Sequence, residues 1–146
     1  MVRDIVKDTE QLQKSCKTVT NNHTKSEDFK QLLADMWETA KHHEETSGCV
    51  GLAANQVGSD LRVILVRDNN RAWHLMINPV ITKHGRGVME SEEGCLSLEG
   101  TRTVKRWDTV LVIWKDECNR THKRGFTGFE ATVVQHEIDH LNGKLI

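Results

Sequence analysis

The chain has 146 residues, 37% of them hydrophobic and 28% charged, with 20 Lys plus Arg against 21 Asp plus Glu and a formal charge of -1. That length fits one domain over residues 1–146, large enough to bury a core without a disulfide framework. A mean hydropathy of -0.54 and the lack of any apolar run near ~20 residues exclude a membrane protein, and the balanced charge weighs against nucleic-acid binding.

The N-terminal stretch MVRDIVKDTEQLQK carries no secretory apolar segment, so a cytoplasmic protein is expected. From Ser26 onward, Phe29, Leu32, Leu33, Met36, Trp37 and Ala40 recur at helical spacing and predict an amphipathic helix capped by Ser26 or Thr24. The small, Gly-bounded segment from Cys49 to Gly58 predicts a turn. Leu61 to Val66, Trp73 to Ile81 and Thr109 to Trp114 are rich in β-branched or aromatic residues and predict strands. After Gly128, the residues Phe129, Ala131, Val134, Ile138, Leu141 and Leu145 return to helical spacing, with Gly143 as a stop signal. The expected fold is therefore α+β, with mainly antiparallel strands packed around a C-terminal helix and an amphipathic helix on the N-terminal side.

That last helix carries His136-Glu137-Ile138-Asp139-His140, an H-E-x-x-H pattern. Residues four apart lie about 40° from each other around a helix, so both imidazoles leave one face and can converge on one metal. Glu137 stands beside that face, where its carboxylate can handle the proton of a nucleophilic water, while Ile138 points to the core. A short motif of this kind also arises on ordinary solvated helices; here the apolar stripe opposite supplies the required context. Two histidines leave a catalytic site one protein donor short. Cys95, behind Gly94 at the end of a predicted strand, is the candidate. Cys16, Cys49 and Cys118 are expected to be small buried hydrophobes, since no C-x-x-C pair links any of the four.

Three segments together resemble the peptide deformylase family: Val50-Gly51-Leu52-Ala53-Ala54-Asn55-Gln56, Glu93-Gly94-Cys95-Leu96-Ser97 and Gln135-His136-Glu137-Ile138-Asp139-His140, in matching order and spacing. The resemblance implies a metal-dependent hydrolase that removes the formyl group from N-formylmethionyl peptides emerging from the ribosome, with no direct contact to nucleic acid or membrane. It implies Cys95, His136 and His140 as ligands of one divalent ion, Fe(II) by preference or Zn(II), and Glu137 as acid/base. It further implies oxyanion stabilisation by the Gln56 amide and the Leu96 backbone N–H. Substrate would meet Gly51 along its backbone, with Val50, Phe129 and Val133 around the methionine side chain. Glu93 is expected to orient Gln56 or to pair with a basic residue such as Arg106. The alternative is a zinc peptidase of the H-E-x-x-H type, which would need no Cys95.

The chain departs from the family pattern at Cys49, where a glycine is usual, at Asn55, where proline or threonine is common, and at Leu98-Glu99-Gly100, where a proline often follows. It ends at Ile146, six residues after His140, which suggests a short form without the C-terminal extension of many members.

Overall fold

The computed structural model describes residues 1–146. Two short helices, α1 (Thr9–Leu12) and α2 (Asn21–Thr24), precede the long helix α3 (Glu27–Ser47). Ser26 caps α3, its hydroxyl accepting from the Phe29 amide at 3.1 Å, and Gly48 ends it in the left-handed region at φ 72°. The predicted stripe is buried except for Trp37, which is partly exposed. Two polar side chains of α3 are buried with it: Asp35 accepts from Arg3 Nε at 2.8 Å and Gln31 Nε2 at 2.7 Å, and Thr39 Oγ1 accepts from the Arg3 amide at 2.9 Å.

Seven strands follow: β1 (Gly51–Ala53), β2 (Val63–Arg67), β3 (Trp73–His84), β4 (Val88–Cys95), β5 (Leu98–Trp107), β6 (Thr109–Lys115) and β7 (Thr121–Thr127), and α4 (Gly128–Leu141) closes the fold. Five form an antiparallel sheet in the order β1-β2-β3-β6-β7, while β4 and β5 make a separate hairpin. Alternation along β2 explains why this sheet is covered twice. Val63 and Leu65 face α3 with Leu75 and Ile77, whereas Ile64 and Val66 face α4 with Met76, Val112 and Phe126. A strand buried on both sides reads as an unbroken apolar run, Val63-Ile64-Leu65-Val66.

Asn78, at φ 51°, and the single proline, Pro79, sit where the β3–β6 register shifts between Ile77 and Val80. The Asn78 side chain closes this bulge on the preceding chain, accepting from the Val19 amide at 2.8 Å and donating to the Val19 carbonyl at 2.9 Å.

The α+β expectation holds, with four differences. The segment after Cys49 is not a plain turn but β1 followed by a 3-10 turn over Ala54–Val57. Strands β4, β5 and β7 carry so many charged and polar residues that their apolar pattern is too weak to read. Helix α4 stops at Leu141, leaving Leu145 outside it. Cys118 is exposed in the β6–β7 turn rather than buried, because Asp116 ties that turn together by accepting from the amides of Cys118 and Arg120, both at 2.9 Å.

Phe126 is fully buried between the sheet and α4. Truncating it to alanine should therefore lower unfolding free energy by about 3–5 kcal/mol, read as a fall in the urea midpoint with the slope unchanged.

Candidate metal centre

The histidines and Cys95 reach one point from two directions. Helix α4 presents His136 and His140 one turn apart, and the β4–β5 hairpin delivers Cys95 at the end of β4. Cys95 Sγ lies 3.3 Å from His140 Nε2, which lies 3.1 Å from His136 Nε2. All three donor atoms fall within 4.8 Å of one another. Bonds of about 2.0–2.1 Å to nitrogen and 2.3 Å to sulfur at tetrahedral angles would set donors about 3.3 to 3.6 Å apart, so the cluster fits one tetrahedral ion. The donor set, one thiolate and two imidazoles, suits Zn(II) or Fe(II).

His136 is held by its other nitrogen. Its Nδ1 lies 2.8 Å from Glu93 Oε1, a carboxylate that can only accept, which leaves the Nε2 lone pair facing the centre. Glu93 in turn takes a two-pronged contact from Arg106, Nε to Oε2 at 2.9 Å and Nη2 to Oε1 at 2.7 Å, and Arg106 Nη1 reaches Asp139 Oδ2 at 2.5 Å. Glu93 and Arg106 are 8% and 5% exposed, so this ion pair is desolvated. Burial acts to raise the Glu93 carboxyl, but the Arg106 and His136 contacts outweigh it and hold it down at about 2. Burial likewise acts against charge on His136, and its contacts with Cys95 and Glu93 overcome that, keeping it up at about 10. His140 is pushed down to about 3, by burial first and then by the charge on His136. The two imidazoles side by side are thus shifted in opposite directions, a conflict that a cation between them would remove.

Of the two roles expected of Glu93, the structure shows the pairing with Arg106 and not the orienting of Gln56. Glu93 meets His136 and Arg106, and Gln56 is fixed by other groups: its Oε1 accepts from the Ala53 amide at 3.0 Å, which turns Nε2 toward Ser97 Oγ at 3.2 Å and Cys95 Sγ at 3.4 Å. The buried amide therefore aims its donor at the metal site.

Glu137 forms part of the wall of a cleft of about 450 Å³. Burial raises its carboxyl to about 7, and its Oε1 has no hydrogen-bond partner. Gly51 accommodates it, since a Cβ there would collide with Glu137 Oε2. Val50, Gly51, Leu96, Phe129 and Val133 all line this cleft, with Phe129 59% exposed at its edge. Cys49 lines it too, its buried thiol donating to the Gly51 carbonyl at 3.1 Å and pushed by burial up to about 12.

Four polar residues around the site were not singled out in the sequence. Asp139 completes the Arg106 contacts, and Ser97 accepts from Gln56. Gln135 bonds both the amide and the carbonyl of Trp107, at 2.9 and 2.8 Å, docking α4 onto the end of β5. Asn55 donates to the His140 carbonyl at 2.7 Å. Asp139, Ser97 and Gln135 lie inside the recognised motifs, which was the available signal; Asn55 drew notice only as a departure.

A family model described as Polypeptide deformylase matches residues 2–146. A peptide deformylase of Clostridium beijerinckii is 38% identical over 146 residues, covering all of both chains, and peptide deformylase 2 of Pseudomonas putida is 36% identical over 99% of this chain and 85% of its own. Among solved structures, a class I type b peptide deformylase from Acinetobacter baumannii with Met-Ala-Ser bound superposes with a TM-score of 0.89 at 33% identity, over 99% of this chain and 97% of that one. The peptide deformylase of Thermotoga maritima gives 0.86 at 34%, over 99% and 94%.

The Glu93 contacts generate a pH signature. A carboxyl held at about 2 in the folded chain against an ordinary 4.5 contributes stability that is complete above about pH 4.5 and is lost as pH falls toward 2. In metal-free protein, the gap in melting temperature between wild type and Glu93→Gln should therefore be full near pH 6 and shrink through that window, as thermal unfolding monitored by circular dichroism would record.

Proposed function

The chain belongs to the peptide deformylase family, and from that we propose how its own residues carry the reaction. The enzyme is a hydrolase that removes the formyl group from the N-terminus of nascent peptides: the formamide C–N bond breaks, formate leaves and the free amine is released. The observation that carries the reading is the meeting of Cys95 with His136 and His140 beside a buried, unpartnered Glu137 carboxylate at the wall of a cleft.

Cys95, His136 and His140 would hold one divalent cation, Fe(II) by preference with Zn(II) as the alternative. When bound, such an ion supplies Lewis-acid chemistry, making water acidic enough to act near neutral pH and polarising the formyl oxygen. Glu137 takes the proton of the attacking water and later delivers it to the departing amine nitrogen; a carboxyl near 7 is suited to both halves of that task. The Gln56 amide and the backbone N–H of Leu96 donate to the formyl oxygen as negative charge develops there. The fixed orientation of Gln56 supports this role, since a donor that need not reorganise stabilises the transition state most.

The substrate is placed by the open edge of the sheet. Strand β1 pairs only with β2, so its other edge, next to Val50 and Gly51, is free to accept an extended peptide as an added strand. Val50, Phe129 and Val133 then surround the methionine side chain. Glu93 and Arg106 keep His136 in its ligating orientation.

Residues 1–146 act as one catalytic unit, a reading supported by the extent of the family match. No helix is long and apolar enough to cross a membrane, and we place the enzyme in the cytoplasm, on formylmethionyl chains as they leave the ribosome. The metallopeptidase alternative finds no observation in its favour, because the third donor in place is a cysteine.

The deciding experiment supplies anaerobically prepared, iron-loaded protein with formyl-Met-Ala-Ser and measures formate release. Wild type should turn over, while Glu137→Gln should retain its metal and lose about 100- to 10,000-fold in kcat/KM. Absence of wild-type turnover would overturn the assignment.

A further inference from the structure

The two ligating histidines are secured in different ways. His136 is tethered through its ring, by Glu93. His140 is not: its Nδ1 is buried without any partner. It also sits in the last turn of α4, one residue before the helix ends at Leu141; the Gly143 amide closes on its carbonyl at 3.0 Å, and the second lone pair of that oxygen is open to a group from elsewhere in the fold. With no partner on its ring Nδ1, this ligand is held by hydrogen bonds only through its main chain, by the local cap and by groups from outside the helix.

The outside groups are present. Asn55 Nδ2 donates to the His140 carbonyl at 2.7 Å from a side chain 4% exposed. The next carbonyl, that of Leu141, accepts from the Cys16 amide at 2.8 Å and from Arg62 Nη1 at 3.1 Å, while Arg62 Nη2 reaches Asn142 Oδ1 at 2.8 Å. A guanidinium at this end also complements the negative pole of the helix. Asn55 is joined directly to Gln56, whose amide contacts Cys95 and Ser97. One 3-10 turn thus grips the thiol strand through Gln56 and the end of the histidine helix through Asn55.

We infer that Asn55 and Arg62 are positioning residues, a clamp on the C-terminal turn of α4 that sets His140, and through it the third ligand position, relative to Cys95. The inference rests on the metal-site reading given above. It gives the departure at Asn55 a use: this position contributes an amide donor that reaches the His140 carbonyl, where a proline would contribute none and a threonine only a shorter hydroxyl.

The test uses Co(II) as probe on metal-free wild type, Asn55→Ala, Asn55→Asp and Arg62→Met, recording the visible d–d bands and the rate of Co(II) release to a chelator. Asp keeps the size of Asn but is an acceptor facing a carbonyl; Met keeps the stem of the partly exposed Arg62 without its charge, and decides the matter if the Asn55 variants do not fold. Asn55→Ala and Asn55→Asp should release Co(II) about 10–100-fold faster with altered d–d bands, and Arg62→Met should change both in the same direction by a smaller factor. Folded variants with wild-type bands and wild-type release overturn the clamp, even if the metal-free protein melts lower, because a plain helix cap would do only that. Failure of wild type to take up one Co(II) per chain would instead sink the metal-site reading, and the clamp with it.

Discussion

The site hangs on the buried carboxylate of Glu93. Arg106 satisfies both of its oxygens and His136 shares one of them, so a single group from β4 joins its hairpin partner β5 to the helix α4. That junction is the charged part of what fixes the hairpin at the depth where Cys95 meets the histidines, beside the Gln135–Trp107 and Gln56–Ser97 hydrogen bonds. Removing one member of a desolvated pair leaves the other charge uncompensated, a cost of about 3–5 kcal/mol, larger than any single exposed ion pair in the chain can offset. The junction is therefore a constraint on assembly as much as on chemistry: the hairpin docks correctly only when these charges meet.

Helix α4 is shaped by two demands that share one period. Val134, Ile138 and Leu141 fill the space beneath the sheet, and His136 and His140 face the other way. Gln135 adds a third contact by bonding Trp107 at both its amide and its carbonyl, in the manner of a neighbouring strand. The core side needs apolar bulk and tolerates exchange among similar shapes, whereas the site side needs particular atoms held within about 0.5 Å of one geometry. Burial of the apolar face supplies the free energy, and the polar contacts select one placement among those the core would permit.

What was legible in the sequence follows from the same division. The α3 stripe, β2, most of β3, β6 and α4 announce themselves because burial imposes a period, and the two histidines of the proposed metal site because convergent chemistry imposes a spacing. The hairpin β4–β5 gives no such signal: Glu90, Glu92, Thr101, Thr103 and Lys105 face solvent, so hydrophobic alternation is nearly absent and pairing is enforced by the charged junction instead. The Glu93–Arg106 contact was expected from charge near a motif, with Gln56 as the alternative partner, since sequence order cannot say that a residue of β4 faces α4 and not the 3-10 turn. Asn55 escaped for a related reason, its partner being a backbone carbonyl 85 positions away, which carries no side-chain code.

The least favourable group in the fold is the one to which the proposed mechanism assigns the proton transfer. Glu137 is buried with one oxygen unpartnered, which costs about 1–3 kcal/mol relative to a satisfied or apolar side chain. Nothing in packing demands a carboxylate there, and Gly51 has to forgo a side chain to admit it. That opening is what keeps the carboxyl near 7 and free to exchange a proton, because a hydrogen-bond donor placed on it would stabilise the charged form and draw it back toward the ordinary carboxylate range. Glu93 of β4 and Arg106 of β5 meet α4 at His136 and at Asp139, one residue before and two residues after Glu137, and hold the helix around it. The neighbours are satisfied so that this one group can remain unsatisfied, and the local instability is tolerated because the double-sided core beneath it is complete.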